Sequence, residues 1–389
     1  MVSAHSAAWN NQLLAGRIPE LDGIRGLAIL LVLVWHYVAG PAEGMAPDSW
    51  QSYALATLRL TWSGVDLFFV LSGFLIGGIL YDVKDSSNYY RTFYSRRIYR
   101  IFPLYFISIA LFITGLYFAG PDSPGPLRAI FNREVPVWTY PLFLQNFSMT
   151  SQQTWGSIWM VVTWSLAVEE QFYFLLPLAV RNLSYKGIIW MAATSIVCAP
   201  LFRLILRMSV SVAASGDPDL GLYTLLPSRA DALGFGVLIA LACRRKSAWE
   251  WLTSHRRHLY LAFLFFGCGF ALLHKYQWGI KVFGFTWIAA FYAVLLLLTL
   301  VDPGRLITRW FRGKILVTFG TVAYAVYILH HGLNALLHFA ILGKRPGNND
   351  WPSLSVTVLS FTIVMLLSAL SWRLIEKPLI GHAHAVYRY

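Results

Sequence analysis

Residues 20–38 read ELDGIRGLAILLVLVWHYV, a polar entry that turns into an apolar helix carrying one basic side chain near each end. Arg25 and His36 stand eleven residues apart, almost three full turns at 3.6 residues per turn. Both side chains therefore share one face, about 16 Å apart along the axis. That is roughly half the hydrocarbon thickness of a bilayer. Asp22, three residues before Arg25 on nearly the same face, is close enough to pair with it and hold its direction. An ionisable group inside an apolar span costs about 2.5–3.5 kcal/mol even on lenient scales, so it faces a partner or a wet cavity. His36 is thus either a histidine satisfied by a neighbouring helix or a titratable base in line with an anion-binding arginine.

Working outward, 57% of the 389 residues are hydrophobic and only 13% charged, against roughly 25% charged in a soluble domain. Apolar runs of about 20 residues recur from end to end, which suits membrane helices and not the ten-residue alternation of an outer-membrane barrel. The expected fold class is all-α, a polytopic membrane protein of about ten helices in a single domain over 1–389 with its helical core at about 20–378. No removable signal peptide and no appended soluble domain is expected. The net charge of +13 falls in short clusters between apolar runs, which marks topology and gives no reason to expect nucleic acid. Cys198, Cys243 and Cys268 all lie in or beside apolar runs without metal spacing, so no metal is assigned.

The spans are expected at about 24–40, 60–82, 98–119, 158–180, 188–207, 221–243, 258–274, 280–300, 315–341 and 352–375. Lys84, Arg91, Arg96 and Arg97 follow the second span, Arg244, Arg245, Lys246, Arg256 and Arg257 the sixth, and Arg305, Arg309, Arg312 and Lys314 the eighth. The alternate loops are poorer in cations, so positive-inside bias places both termini in the cytoplasm. The connection from about 120 to 157 is rich in proline (Pro121, Pro124, Pro126, Pro136, Pro141) and then lies outside. Its short apolar middle fits a re-entrant or surface-lying piece, and its aromatic residues suit either a sugar cover or an interfacial belt.

Several polar groups interrupt the spans. Asp66 sits near the outer end of the second, where it can face an aqueous cleft; Gly73 and Gly77, four apart, allow close helix approach. Arg96, Arg97 and Arg100 enter the third helix with overlapping faces, as lipid-facing anchors or as a site for an anion. Glu169 and Glu170 point about 100° apart in the fourth, and each requires a partner or a wet cavity. Ser165, Glu169 and Tyr173 form one stripe. In the fifth, Arg203 and Arg207 are expected to reach outward as anchors. Arg229 and Asp231 lie inside the sixth, with Arg229 a candidate partner for Glu169 or Glu170. Nothing is assigned to the seventh and eighth spans. Tyr327, His330, Asn334 and His338 share a narrow sector of the ninth, either a polar seam or part of a site.

Taken together, these strings resemble the acyltransferase-3 family of polytopic enzymes that O-acylate cell-surface glycans and some antibiotics. The resemblance rests on Arg25 and His36 with ten residues between them, WSGVDLFFVLSGFLIGG from Trp62, RRIYRIFPLY over 96–105, WSLAVEEQFY over 164–173, Arg229 with Asp231, and WRLIEKP from Trp372. It covers the chain from Pro19 to Pro378. It implies a membrane O-acyltransferase, an O-acetyltransferase by expectation, in a bacterial cytoplasmic membrane. Acyl-CoA, with acetyl-CoA foremost, is the implied co-substrate, nothing is bound permanently, and a hydroxyl-bearing acceptor, a carbohydrate by expectation, is the second partner. His36 with Glu169 and Glu170 is then the catalytic group, a carboxylate orienting the imidazole. Arg25, Arg96, Arg97 and Arg100 bind the donor, and Asp22, Asp66, Tyr173, Arg229, Asp231 and His330 support the site or face the acceptor. A proton-coupled transporter, relaying protons through His36, Glu169 and Glu170, is the alternative.

Overall fold

Pro19 opens the first helix, where its missing N–H costs nothing because first-turn donors have no intrahelical partner anyway. The computed structural model describes residues 18–41, 58–120, 123–209, 217, 219–273, 280–305, 308–348 and 350–389, and among them there are helices and turns but no strand. Pro121 lies outside the described residues. Helix α1 (Pro19–Val34) widens into a π turn over Trp35–Ala39, closed by the Gly40 N–H on the Trp35 carbonyl at 2.8 Å. Then come α2 (Gly64–Asp82), α3 (Tyr89–Phe118), the short α4 (Gly125–Ile130) and α5 (Gln145–Gln152), α6 (Thr163–Asn182) and α7 (Tyr185–Ser209). The second half holds α8 (Leu220–Thr224), α9 (Leu226–Arg244), α10 (Lys246–Ser254), α11 (Arg256–Leu273), α12 (Phe285–Val301), α13 (Lys314–Leu342), α14 (Trp351–Ser371) and, after a π turn, α15 (Lys377–Val386).

Each of the ten expected spans falls on helix, and eight helices among the described residues are long and apolar enough to cross a membrane. The other two are α6, whose Glu169-Glu170-Gln171 run lowers its hydropathy, and α11, which begins with two arginines and a histidine. The protein is thus an all-α polytopic membrane protein.

Two close helix contacts position the site. Helices α1 and α13 run parallel: Gly26 and Gly320 meet backbone to backbone at one level, and two to three turns on, the Tyr37 hydroxyl donates to the His330 carbonyl at 3.0 Å. A side chain at Gly320 would run into the Asp22 carbonyl, so glycine is what lets the two helices touch. In the same way α2 packs on α9 through Gly73 and Gly236, as the Gly73–Gly77 spacing predicts. At one end of the bundle Arg312 pairs with Glu20, Arg244 with Asp82 at 2.6 Å, the Lys84 ammonium donates to Leu183 O at 2.5 Å, and Arg96 reaches Tyr387 O. The basic loops therefore gather where the described chain both begins and ends.

The 123–157 connection is packed more deeply than a surface-lying piece would be. Gln145 and Asn146 are fully buried, Gln145 donating to Thr163 O at 2.8 Å and Asn146 to Thr224 O at 3.1 Å. In return the Gln171 amide donates to the Phe143 carbonyl of this segment at 2.9 Å, so an irregular piece can sit inside the bundle without stranding that polar group. Trp138 and Leu142 stay exposed on it.

Candidate active site

Three of the four predicted donor-side arginines converge. Arg25 from α1 and Arg97 and Arg100 from α3 line one cleft of about 110 Å³, with Ser165, Glu169 and Tyr173 from α6 and Tyr327 from α13 along its walls. Arg25 is held by Asp22, Nη1 to Oδ1 at 2.7 Å, which confirms the three-residue pairing. The Arg97 guanidinium lies over the Tyr173 ring, 5.2 Å from its centroid. Arg100 makes no hydrogen bond or ion pair among the described residues, so its donors remain for something in the cleft. Arg96 leaves the group: it donates to Tyr387 O at 2.7 Å and stacks on Tyr389. Arg96 and Arg97 are adjacent in sequence, but about 100° of helix turn puts them on different faces.

The acidic pair is placed with these arginines and away from His36. Glu169 accepts from the Ser72 hydroxyl at 2.5 Å, and Ser72 and the Tyr173 hydroxyl lie 3.1 Å apart, so the 165/169/173 stripe lines the cleft wall as expected. The Glu170 Oε1 is buried without a hydrogen-bond partner among the described residues. The expectation that a carboxylate of α6 orients the imidazole is not met; α6 faces the arginines, and α13 supplies His36 with its neighbours instead.

Those neighbours are two further histidines. His36 Nδ1 stands 3.0 Å from Val32 O and 3.1 Å from His330 Nε2, while His330 Nδ1 is 3.0 Å from Val326 O and 2.8 Å from Tyr327 O. Carbonyl oxygens only accept, so each Nδ1 carries the proton, His330 Nε2 accepts from His36, and the His36 Nε2 lone pair is left free. His331 packs on His36 as well, ring centroids 4.6 Å apart and 6.0 Å from that of His330, so the three rings close a triangle. The sequence hinted at it through its adjacency to His330, but the one-face criterion passes over a residue a further 100° around the helix. Tyr327 stands between cleft and histidines: its hydroxyl donates to Val162 O at 3.1 Å and lies against Ser165 Oγ at 2.5 Å, and its ring is 5.9 Å from that of His330.

The remaining charged residues form a separate buried layer, with partners other than those expected. Arg229 pairs with Asp66, and neither Glu169 nor Glu170 reaches it. Arg203, expected as an outward anchor, is wholly buried and bonds Asp231 at 3.0 Å, Val282 O at 2.7 Å and Thr286 at 2.6 Å. The Arg229 guanidinium is stacked 4.3 Å from the centroid of Phe285. The eighth span, to which no role was assigned, thus supplies both the hydroxyl and the ring that these cations use. Asp66 is buried against Arg229 and does not face a cleft. Arg207, by contrast, is exposed and pairs with Asp219 at 2.8 Å.

The family model described as an acyltransferase domain matches residues 18–373. Among curated relatives, the O-acetyltransferase OatA of Staphylococcus aureus is 26% identical over 385 residues, covering 93% of this chain and 57% of its own length. The peptidoglycan O-acetyltransferase OatA of Listeria monocytogenes is 25% identical over 389 residues, 93% and 56% of the two chains. The putative peptidoglycan O-acetyltransferase YrhL of Bacillus subtilis is 26% identical over 375 residues, 93% and 55%. The chain therefore spans rather more than half the length of these relatives. All three are named for acyl transfer and none for transport, and no solved structure matches. A match over most of the chain, on a bundle whose first and third helices bring the motif arginines to one cleft, means that this polytopic membrane protein belongs to the acyltransferase-3 family.

Proposed function

We propose that the chain is a membrane O-acetyltransferase that moves an acetyl group from cytoplasmic acetyl-CoA to a hydroxyl of a cell-wall glycan. The observation that carries this reading is the alignment on α1: Arg25 lines a cleft with Arg97 and Arg100, and His36 stands beyond Tyr327 at its far end. The acceptor class is taken from the peptidoglycan O-acetyltransferases the chain resembles. In this reading the basic end of the bundle faces the cytoplasm, as the cation distribution favours.

Coenzyme A presents a diphosphate and a 3′-phosphate, and guanidinium groups meet such oxyanions with paired donors. Held there, an extended pantetheine arm spans the roughly 16 Å of helix rise between Arg25 and His36. The acceptor hydroxyl attacks the thioester carbonyl while His36 Nε2 takes its proton. The C–O ester bond forms, the C–S bond breaks, and the leaving thiolate takes the proton from the imidazolium. His330 Nε2 accepts from His36 Nδ1–H throughout, which fixes the tautomer and shares the imidazolium charge, the part a third group plays beside any histidine base. Glu169 and Glu170 offset the arginine charge in the cleft, beside the Arg97 guanidinium that lies over Tyr173.

The test uses purified protein in nanodiscs with radiolabelled acetyl-CoA and soluble peptidoglycan fragments. Base-labile label is expected on the glycan with wild type, and His36→Gln is expected to lower turnover by about 10²–10⁴-fold, the range of general-base catalysis, with folding intact. Glycan labelling by His36→Gln at most of the wild-type rate would remove His36 from the chemistry.

A further inference from the structure

The three histidines form a cluster that the acyl-transfer reading uses only in part. One ring nitrogen from each of His36, His330 and His331 lies within 4.8 Å of the others, the only such grouping of histidine, cysteine or acidic residues among the described residues. His36 Nδ1 and His330 Nε2 are 3.1 Å apart. Two imidazoles on one tetrahedral ion at about 2.0–2.1 Å per bond have nitrogens about 3.3 Å apart, so this edge already has the spacing of a chelate. The His330 Nδ1–H is anchored on the Val326 and Tyr327 carbonyls, the support that metal-ligating histidines typically have behind them. His331 has its ring 4.6 Å from that of His36, and its ring nitrogen lies within 4.8 Å of the other two ligand atoms, on the side of the third position.

We infer that His36, His330 and His331 bind one late first-row divalent cation of the zinc class, and that this occupancy and acyl transfer exclude one another. Neutral imidazole selects such ions over magnesium or calcium, which require oxygen ligands. Three histidines with an open fourth position make an ordinary zinc site. To ligate through Nδ1, His36 moves its single proton to Nε2. No proton is released, and the nitrogen that serves as base is then capped. The inhibitory half rests on the proposed acyl transfer; the binding half does not.

The test takes full-length protein with a tag free of histidine and titrates zinc chloride calorimetrically, with magnesium chloride as the control. One saturable equivalent is expected, and His331→Gln is expected to weaken it at least tenfold. The surface pair His255, half-buried, and His258, exposed, with rings 5.6 Å apart, is the competing site, so His255→Gln/His258→Gln is expected to leave the affinity unchanged. His331→Cys keeps a zinc ligand and is expected to retain binding, with a thiolate-to-cobalt band when cobalt replaces zinc; this covers the case in which His331→Gln fails to fold. Absence of saturable binding, or binding lost with His255 and His258 and kept in His331→Gln, overturns the site. Zinc is further expected to slow acyl transfer and EDTA to restore it. Zinc bound with turnover undiminished overturns the exclusion, whereas zinc bound by a protein with no turnover under any condition leaves the site standing and removes the enzymatic reading.

Discussion

Replacing Gly320 by alanine adds one methyl group at the point where α13 touches α1, and its effect can be followed along both helices. An ideal Cβ there lies 2.8 Å from the Asp22 carbonyl carbon, closer still to its oxygen, and 3.1 Å from Gly26 N, where ordinary contact begins at 3.4 Å. The atoms it meets are backbone, with no flexible side chain to swing aside, so the helices must part by about 1 Å; overpacking of this kind costs about 1–3 kcal/mol. The same parting acts on the functional geometry, since α1 carries Arg25 and His36 while α13 carries Tyr327, His330 and His331. A displacement of about 1 Å suffices to break a 3.1 Å hydrogen bond between His36 and His330, and misplacement on that scale costs about 10²-fold in rate. Gly320→Ala is therefore expected to insert and fold, to unfold at a lower temperature, and to lose about two orders of magnitude in acetyl transfer. Fluorescence-detected thermal unfolding and initial rates in nanodiscs measure the two effects. A variant with unchanged melting and full turnover would refute both the contact and the dependence of the site on it.

Three further outcomes follow from single side chains. Arg100→Ala is expected to weaken CoA binding by calorimetry and Arg100→Lys to restore it only partly, because lysine keeps the charge and loses the fork; equal affinity in all three proteins removes the phosphate site. Arg229→Ala leaves Asp66 buried without its cation and is expected to cost about 3–5 kcal/mol, whereas Arg229→Met with Asp66→Leu removes both charges and is expected to recover most of the thermal stability. Lys344, bonded to Asp350 at 2.6 Å, and the Ser353 N–H that Asp350 caps hold the Asp350 carboxyl down at about 2. Its contribution is thus present above the ordinary carboxylate range and lost as pH falls towards 2, so the stability difference between wild type and Asp350→Ala is expected to be full at pH 6 and to shrink through that interval.

Much of the fold was legible because membrane helices announce themselves by length and hydropathy, and each expected span falls on helix. The cleft was legible where one helix carried the information: Arg25 with Asp22, and the 165/169/173 stripe, follow from 3.6-residue periodicity alone. What periodicity does not contain is which face meets which helix. Arg229 chose Asp66 over Glu169, and Arg203 turned inward, because α9 packs through Gly236 on α2 and brings its own polar residues to that side. Arg96 and Arg97 are adjacent and diverge by about 100° on α3; that Arg97 takes the cleft and Arg96 the Tyr387 carbonyl is set by what packs on each face. His331 was invisible to a one-face criterion since His36 fits between two successive positions of α13 and touches both.

The Asp66–Arg229 pair also has a history within each molecule as it is made. Its members are 163 residues apart in sequence, and at about 5–20 residues per second a ribosome takes about 8–30 s to supply the second after the first. For that interval α2 has a carboxyl group in or beside the bilayer and no guanidinium to meet it. Arg203 and Asp231, only 28 residues apart, emerge almost together and face no comparable delay. Helix α2 therefore completes its settlement in the membrane late, when α9 arrives, and any factor that shelters half-made membrane proteins has a task in this chain between those two helices.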